Sequence, residues 1–208
     1  MERATLKMIT DRDFFVIEPI PDTTLNSVFT EANPLYIEIG SGKGEFISRY
    51  PISHPNWNFL GFEMSEKRIR NILKKINPQD HPNIRLIRRK IDAGIKDLFA
   101  PESISGVFIQ HPDPWPKRKH HRRRLIQADF LESLAHIMMP KAQVQISTDH
   151  EAYAAWIAEE FLDCPHFVSL QDDLIQDHPN LDEHIVTWFE QEQKRLGYNP
   201  RFMLFERI

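Results

Sequence analysis

The sequence lacks several features that would mark a secreted scaffold, a membrane protein or a thiolate metal site. Its one cysteine, Cys164, can form neither an internal disulfide nor a cluster of thiolate ligands, so we expect it to be a small packing residue. Apolar stretches are short, and residues 1–15 carry charges of both signs without an apolar centre. These absences argue against a membrane span and a signal peptide, and we expect a cytoplasmic protein.

Internal repeats, low-complexity tracts and linkers are also missing. The length of 208 residues therefore suggests one domain, 1–208, in which residues 1–30 form an N-terminal extension of unspecified structure. The ten histidines are scattered without the spacing of metal ligands, so we expect no metal site.

Positive charge is scarce overall but concentrated in one part of the chain. The net charge is −4, yet residues 65–124 hold 16 Lys and Arg against 6 Asp and Glu. Residues 149–193 hold twelve acids and no Lys or Arg. Such asymmetry indicates a polyanionic partner for the basic part. A solvated helix face remains the commoner explanation of any single basic run.

Short apolar strands alternate with amphipathic helices along the chain. Strands are predicted at residues 35–40, 58–63, 83–87, 106–110, 143–147, 167–170 and 201–206. Helices are predicted at residues 44–51, 66–76, 124–138, 151–162 and 187–196. Pro51 is expected to stop the first helix, Ser65 to cap the second and Gly197 to close the last. The alternation predicts an α/β fold, a largely parallel sheet covered on both faces.

A glycine-rich turn, EIGSGKGE, follows the first predicted strand. Its spacing is G-x-G-x-G, unlike the G-x-G-x-x-G of dinucleotide folds, because Glu45 occupies the next position. An acid at a helix start disfavours a pyrophosphate there. With Gly40 and Gly42 as contact points, the loop favours a cofactor without phosphates, such as S-adenosylmethionine. A plain tight turn is the alternative.

Acidic side chains follow four consecutive strands, at the sheet edge where ligands bind in such folds. Glu63 is placed to accept hydrogen bonds from ribose hydroxyls, or else to cap the next helix. Asp92 could accept the amine of adenine, or could form a turn. Asp113 and Asp149 end the next two strands. Because acids are rarely buried without a function, the set indicates a site for a cationic cofactor and a donor-rich substrate edge.

The stretch HPDPWPKRKHHRRR places Asp113 between two prolines and ahead of six cations. Proline on both sides restricts the Asp113 backbone to extended conformations. Trp115 could stack on a base or pack beneath the loop. The cations suit RNA phosphates, and Arg122 to Arg124 are expected to begin the next helix. The predicted phosphate contacts are Lys117, Arg118, Lys119, His120, Arg122 and Arg123.

These motifs together resemble the bacterial tRNA (guanine-N7)-methyltransferases. The resemblance covers residues 35–205 and is carried by IEIGSGKGEF, FLGFEMSEKRI, HPDPWPKRKHHRRRL, STDHEAYAAW and TWFEQEQKRLG. It implies a Rossmann-like class I methyltransferase fold with a mostly parallel seven-stranded sheet. It also implies S-adenosylmethionine as methyl donor, S-adenosylhomocysteine as product, and tRNA as partner. The expected target is guanosine 46 in the variable loop.

By this resemblance, four acids contact the cofactor: Glu38, Glu63, Asp92 and Asp113. Asp113 is also the expected catalytic residue. The substrate is expected to contact Lys117, Asp149, Thr187, Trp188, Phe189 and Glu190. Thr187 and Glu190 equally fit a helix capping box. No membrane association or obligatory protein partner is expected, and the protein could be a monomer or a homodimer.

The sequence departs from the family pattern at three places. Gln110 and His111 stand where aromatic and apolar residues are usual. Arg118 and Lys119 exchange the usual order of cations, and residues 140–142 lack the glycine pair that commonly precedes the fifth strand. These departures leave the shape of the pocket wall open.

The chemistry at guanine N7 limits what Asp113 can do. N7 carries an in-plane lone pair and no proton, so its methylation requires no general base. A fixed carboxylate instead stabilises the positive charge that develops on the purine and holds the base in place. Two other interpretations are a non-catalytic tRNA-binding partner, which would have lost the cofactor acids, and a nucleotide-dependent oxidoreductase, which the glycine spacing disfavours.

Overall fold

A computed structural model describes residues 11–18, 24–179 and 183–208, and its centre is a seven-stranded sheet. The strands are β1 (Leu35–Ile39), β2 (Asn58–Phe62), β3 (Ile84–Ile87), β4 (Ile104–Gln110), β5 (Met138–Thr148), β6 (Phe167–Ser169) and β7 (Arg201–Arg207). Their order is β3-β2-β1-β4-β5-β7-β6. Strands β1 to β5 pair in parallel, whereas β7 is antiparallel to both neighbours. The predicted mostly parallel α/β sheet is confirmed.

Helices cover both faces of the sheet. They are α1 (Tyr50–Ser53), α2 (Glu66–Leu73), α3 (Ala128–Ile137), α4 (Glu151–Asp163) and α5 (Trp188–Arg195), with 3-10 helices at Leu25–Ser27, Ala93–Leu98 and Arg118–Arg123. Successive residues of β4 belong to different apolar clusters. Val107 and Ile109 pack with α3 and α4, whereas Phe108, which lies between them, packs with α2. Because side chains alternate across a strand, the two clusters lie on opposite faces. None of the described helices has both the length and the apolar character to cross a membrane.

The helix predicted at residues 44–51 is wrong in its bounds. Residues 42–49 form successive turns, and the regular helix begins at Tyr50, with proline in its first turn. Pro51 therefore starts α1 instead of stopping a helix. Proline is tolerated there because the first N–H groups of a helix have no intrahelical partner.

The expectation that Arg122 to Arg124 begin the next helix is also wrong. Arg122 and Arg123 end a separate 3-10 helix, and α3 begins only at Ala128. The Gln127 side-chain amide donates to the carbonyl of Arg124 at 2.5 Å, which fixes the bend between the two helices. Ser65 occupies the predicted N-cap position of α2, although its side chain makes no capping hydrogen bond, and Gly197, at φ 88°, follows α5 as predicted.

The described part of the N-terminal extension lies along the β3 edge of the sheet. Residues 11–15 are helical, Phe15 is fully buried, and the amide of Ile17 donates to the carbonyl of Leu86 at 2.9 Å. Val16 pairs in parallel with Leu86. Residues 1–10 and 19–23, on which part of the prediction for the extension falls, lie outside the described residues.

Lys141 explains how the chain manages without the glycine pair before the fifth strand. This exposed residue has φ 66°, in the left-handed region that glycine adopts easily and other residues adopt at a cost. The irregular pairing between β4 and β5 occurs here, since Ile104 pairs with Met138 and Gly106 with Gln143. The lysine keeps the backbone shape that glycine would provide, but under strain.

Replacing Lys141 by Gly is expected to stabilise the protein by up to about 1 kcal/mol, because removal of Cβ relieves the left-handed strain. The melting temperature should rise by about 2–4 °C for a chain of this size. Lys141→Ala is the control, since alanine keeps Cβ and removes only the charge. Equal melting temperatures for the Gly and Ala variants would contradict the assignment of strain.

Candidate functional site

A cleft of about 400 Å³ opens at the carboxyl ends of β1 to β4. Gly40, Glu63, Asp92 and Asp113, which follow these four strands in turn, all line it. This is the edge at which parallel sheets of this type bind ligands, beside the change in strand order between β1 and β4. The structure therefore brings four of the predicted cofactor residues into one cavity.

The glycine loop approaches the cleft in a backbone conformation that depends on glycine. Gly40 and Gly42 have φ 84° and 55°. At Gly44, φ is 83°, and a Cβ would lie 2.6 Å from Ile72 Cγ1, so this position also keeps α2 close to the loop. No regular helix starts within residues 40–49, so the helix N-terminus that holds a pyrophosphate in dinucleotide folds is missing there.

Glu45 does not act as the sequence suggested. Its carboxylate forms an ion pair with Lys75 at 2.5 Å, and it is not part of the cleft lining. Its charge is therefore largely balanced by Lys75. Repulsion of a pyrophosphate by Glu45 therefore loses its basis, and the preference for a cofactor without phosphates stays a prediction.

Glu63 ties the glycine loop to the start of α2. One carboxylate oxygen accepts from the amide of Gly42 at 2.9 Å, and the other accepts from the amide of Ser65 at 2.7 Å. The side chain is 4% exposed, and Arg68 lies 3.5 Å from it. Because each carboxylate oxygen can accept more than one hydrogen bond, these contacts are compatible with a ribose on the cleft side. The capping contact and the predicted ribose contact therefore do not exclude each other.

Glu38 is the most strongly perturbed of the predicted cofactor acids, and it does not itself line the cleft, although the next residues, Ile39 and Gly40, do. It lies near the carboxyl end of β1, is 3% exposed, and its Oε2 has no hydrogen-bond partner among the described residues. Burial raises the pKa of Glu38 to about 8, and the neighbouring carboxylates Glu45 and Glu63 add to the rise, while the Ser41 hydroxyl opposes it. A buried acid without a partner is costly to ionise, and a bound cation would remove that cost.

Asp92 and Asp113 are exposed, so the argument from rare buried acids holds for Glu63 but fails for these two. Asp92 accepts from the amide of Gly94 at 2.9 Å and caps the 3-10 helix Ala93–Leu98. This contact is the turn that the sequence left as an alternative. A second carboxylate oxygen remains for a ligand, and the adenine contact stays a prediction.

Asp149 is paired with the unusual His111. Their Oδ1 and Nδ1 atoms are 3.6 Å apart, and the His111 side chain is 6% exposed. Burial alone would raise the pKa of Asp149, but His111, the backbone amide of Asp149 and His150 outweigh it and hold this pKa below its ordinary value. His111 has φ 50° and lines the cleft, whereas Asp149 does not line it, so a histidine in a strained conformation connects Asp149 to the cleft.

The start of α5 lies against His111 and the glycine loop. The Phe189 ring is 5.0 Å from the His111 ring, and the Lys43 ammonium of the glycine loop lies 2.9 Å from the centre of the Trp188 ring. Both aromatic side chains remain partly exposed, at 39% and 45%. The distant TWFE motif is thereby brought to the strand ends, as its predicted role in substrate binding requires.

Thr187 and Glu190 form only one half of a capping box. The amide of Glu190 donates to Thr187 Oγ1 at 3.1 Å, so Thr187 caps α5. The Glu190 carboxylate instead binds His184 at 2.8 Å and Lys194 at 2.7 Å, and its side chain is 1% exposed. Burial raises the pKa of Glu190, but these two partners outweigh burial and lower it. In this arrangement Glu190 anchors α5.

The basic run surrounds the outer part of the cleft. Arg122 and Arg123 line it, and both are exposed. Trp115, which also lines the cleft, contacts the His120 ring at 5.7 Å and the Arg123 guanidinium at 4.9 Å. Trp115 therefore packs within its own loop, and stacking on a base stays a prediction. Exposed positions are also occupied by Lys117, Arg118 and Lys119, while His120 is half-buried.

Arg124 is a member of the basic run that sequence reasoning missed. It is 4% exposed, and its Nε donates to the carbonyl of Pro114 at 2.9 Å. Its guanidinium lies 4.9 Å from the Tyr153 ring and 4.8 Å from the Trp156 ring. It therefore fixes the loop that carries Asp113 onto α4. The only sequence signal was its place directly before the apolar pair Leu125 and Ile126.

Comparison with known proteins identifies the family. A family model described as "Putative methyltransferase" matches residues 32–201. The chain is 36% identical over 188 residues to a tRNA (guanine-N(7)-)-methyltransferase of Burkholderia ambifaria, covering 90% of this chain and 72% of the relative. It is 32% identical over 180 residues to the protein of that name from Nitrosospira multiformis, covering 86% and 77%.

Solved structures agree with the fold. The crystal structure of the 16S rRNA methyltransferase KamB superimposes with a TM-score of 0.64 at 11% sequence identity, covering 91% of this chain and 95% of that one. At this identity the likeness concerns the architecture alone. The family model extends over the elements that build the cleft, from β1 to the start of β7. The chain therefore belongs to the tRNA (guanine-N(7)-)-methyltransferase family and has the class I methyltransferase fold.

Proposed function

We propose that the protein transfers the methyl group of S-adenosylmethionine to N7 of a guanosine in tRNA, giving 7-methylguanosine and S-adenosylhomocysteine. The expected target is guanosine 46 of the variable loop. The observation that carries this proposal is one cleft in which Glu63, Asp92 and Asp113 meet Arg122 and Arg123. Acids for a cationic cofactor and cations for RNA thus occupy the same cavity. Its tRNA substrate makes the cytoplasm the expected place of action.

The donor set of the cleft suits the proposed cofactor. The buried, unpartnered Oε2 of Glu38 is complementary to a cationic group, as expected near the amino group of the methionine portion. Glu63 would hold the ribose hydroxyls, Asp92 the adenine amine, and Gly40 and Gly42 the close backbone approach. When bound, S-adenosylmethionine supplies an electrophilic methyl group.

The chain's own contribution is positioning and charge stabilisation. N7 needs no deprotonation, so neither Asp113 nor Asp149 has to remove a proton. We assign to Asp149 the hydrogen bonds from N1 and N2 of guanine, because its carboxylate is an acceptor that lies beside the cleft residue His111. We assign to Asp113 the stabilisation of the positive charge that forms on the purine. Arg124, through the carbonyl of Pro114, holds the Asp113 loop in place.

The remaining predicted residues would hold the tRNA around the reacting base. Trp188 and Phe189 present partly exposed rings beside the glycine loop and His111. Thr187 and Glu190 fix the helix that carries these rings. The basic residues Lys117, Arg118, Lys119, His120, Arg122 and Arg123 would contact phosphates.

Cofactor binding is expected to release a proton from Glu38. With a pKa of about 8, Glu38 is mostly protonated at pH 7, and a bound cation favours its ionised form. Calorimetry at pH 7 in buffers of different ionisation enthalpy should give a release of up to about one proton per S-adenosylmethionine bound. Glu38→Gln is the control and should abolish this release. Equal proton release by both proteins would contradict the assignment.

The same pKa predicts how stability depends on pH. The pKa of Glu38 is higher in the folded state than in the unfolded state. Its contribution to the free energy of unfolding is therefore fully present below the ordinary pKa of 4.5 and is lost as pH rises through about 8. Glu38→Gln should remove this decline. Denaturation at several pH values therefore tests the buried acid without any ligand.

The proposed function is tested by incubating unmodified tRNA with labelled S-adenosylmethionine and mapping the product base. Label in 7-methylguanosine at position 46 is expected. Label at another position would correct the target, and failure to form 7-methylguanosine would overturn the proposal. Parallel calorimetric titration with a nicotinamide cofactor should give no binding heat, which separates this activity from an oxidoreductase.

A further inference from the structure

Cations line the cleft from a second wall, opposite the basic run. Arg89 and Lys90 follow β3 directly, and both line the same cavity as Arg122 and Arg123. In the sequence the two pairs are separated by about thirty residues and by β4. The fold thus brings basic residues from two connections around one opening.

Arg89 and Lys90 have none of the partners that neighbouring cations have. Arg68 lies 3.5 Å from Glu63, and Arg88 lies 4.0 Å from Glu66. Arg89 and Lys90 are exposed, and no carboxylate of the described residues lies within 4.0 Å of either. Two adjacent cations without counter-charges therefore face a concave wall.

A solvated face is the ordinary explanation of such residues, but the shape of this site argues against it. On a convex surface, like charges spread apart into water. Here Arg89 and Lys90 line a cleft that Arg122 and Arg123 also line, and the six cations of this lining outnumber its four acids, so the opening carries an excess of positive charge. This arrangement is unfavourable for the protein alone and becomes favourable with a polyanion.

We propose that Arg89 and Lys90 bind phosphate groups of the tRNA backbone, so that the RNA is held from both walls of the cleft. The inference rests on the proposed function, because it takes tRNA as the polyanion. The proposed cofactor carries no phosphate, so a diphosphate contact within the cofactor cannot account for these residues. Its methionine carboxylate is the other anion that could reach them.

The double variant Arg89→Gln/Lys90→Gln tests the proposal in a binding assay with unmodified tRNA over a range of salt concentrations. Loss of two phosphate contacts should reduce the slope of log Kobs against log salt by about two, and affinity at physiological salt should fall by about tenfold or more. At saturating tRNA, kcat should be unchanged, since neither residue touches the reacting base. The KM for tRNA should rise instead.

Lys74→Gln/Lys96→Gln is the matched control. Both lysines are exposed and do not line the cleft. Lys74 directly follows α2, and Lys96 lies in the 3-10 helix Ala93–Leu98. A salt slope of the Arg89/Lys90 variant equal to that of the wild type would overturn the inference. So would weakened S-adenosylmethionine affinity with unchanged tRNA affinity, which would assign these residues to the cofactor carboxylate.

The two proposals fail in different ways. A wild-type protein that forms no 7-methylguanosine would refute the proposed function, whatever the salt slopes. A wild-type protein that forms it, together with an Arg89/Lys90 variant of unaltered slope, would refute only the second phosphate-binding wall.

Discussion

Asp113→Asn is expected to lower the turnover of methyl transfer by about 10²–10³-fold, while tRNA affinity stays nearly unchanged. Asparagine keeps the shape of the side chain but loses the negative charge that stabilises the methylated purine as it forms. Asp113 is exposed and follows β4 on the rim of the cleft, so the substitution should not disturb folding. Single-turnover rates with saturating tRNA and cofactor measure the effect on the chemical step.

Asp97→Asn is the matched control for Asp113→Asn. Asp97 is an equally exposed acid, in the 3-10 helix Ala93–Leu98, and does not line the cleft, so its removal should leave turnover unchanged. Wild-type turnover in Asp113→Asn would refute the catalytic assignment. A large loss of tRNA affinity with normal single-turnover rates would make Asp113 a binding group only. The pH dependence of turnover adds a further check. Because the reaction requires no general base, this dependence should not lose a basic group when Asp113 is replaced.

Reversing the charges of Arg118, Arg122 and Arg123 to glutamate is expected to weaken tRNA binding by about 10³-fold at low salt. Each arginine is exposed on the 3-10 helix or at its end, so the change should act on the RNA and not on the fold. Loss of three phosphate contacts should lower the salt slope by about three. Anisotropy titrations with labelled tRNA at several salt concentrations provide both quantities.

The control reverses three exposed lysines that lie away from the cleft, Lys67, Lys74 and Lys96. It changes the net charge by the same amount, so it separates local phosphate contacts from the general field of the protein. Equal losses in the two triple variants would mean that only the overall charge matters. An unchanged slope in the arginine variant would refute the phosphate contacts.

Local patterns predicted the framework of this protein well. Strands and helices follow the spacing of apolar residues, and all seven predicted strands are present, because packing against a sheet imposes the same periodicity on sequence and structure. Three of the four acids that end the strands, Glu63, Asp92 and Asp113, line the cleft because parallel strands bring their carboxyl ends to one edge. Asp149 does not line it but lies beside the cleft residue His111. Such inferences need only local sequence and general topology.

Errors arose where side-chain contacts decide the structure. Arg124 was expected to begin a helix, yet its hydrogen bond to Pro114 and its aromatic neighbours on α4 bury it. Because the neighbours on α4 come from a distant segment, the local sequence does not reveal them. Glu190 fits a capping box by its spacing, yet His184 and Lys194, six and four residues away, bind its carboxylate. Here the local sequence offers both contacts, and only the folded geometry decides which one forms.

Glu45 shows a related difficulty. Its charge seemed decisive for the choice of cofactor, but Lys75, thirty residues later, neutralises it. The sequence identifies which side chains are charged, but the distance to the nearest counter-charge depends on packing. The roles of individual residues in binding and catalysis came from the family resemblance, because local chemistry left them open.

The pairing of Val16 with Leu86 covers part of one edge of the sheet. A strand at the edge of a sheet presents unpaired amides and carbonyls, to which a strand of another molecule can add. Because Val16 pairs with Leu86 and the buried Phe15 seals the adjoining surface, the β3 edge is already covered by the protein's own chain. At the other edge of the sheet, β6 is only three residues long, so it offers few unpaired backbone groups to a strand of another molecule. A concentrated solution of this methyltransferase should therefore resist strand-mediated aggregation as long as residues 11–18 keep this pairing.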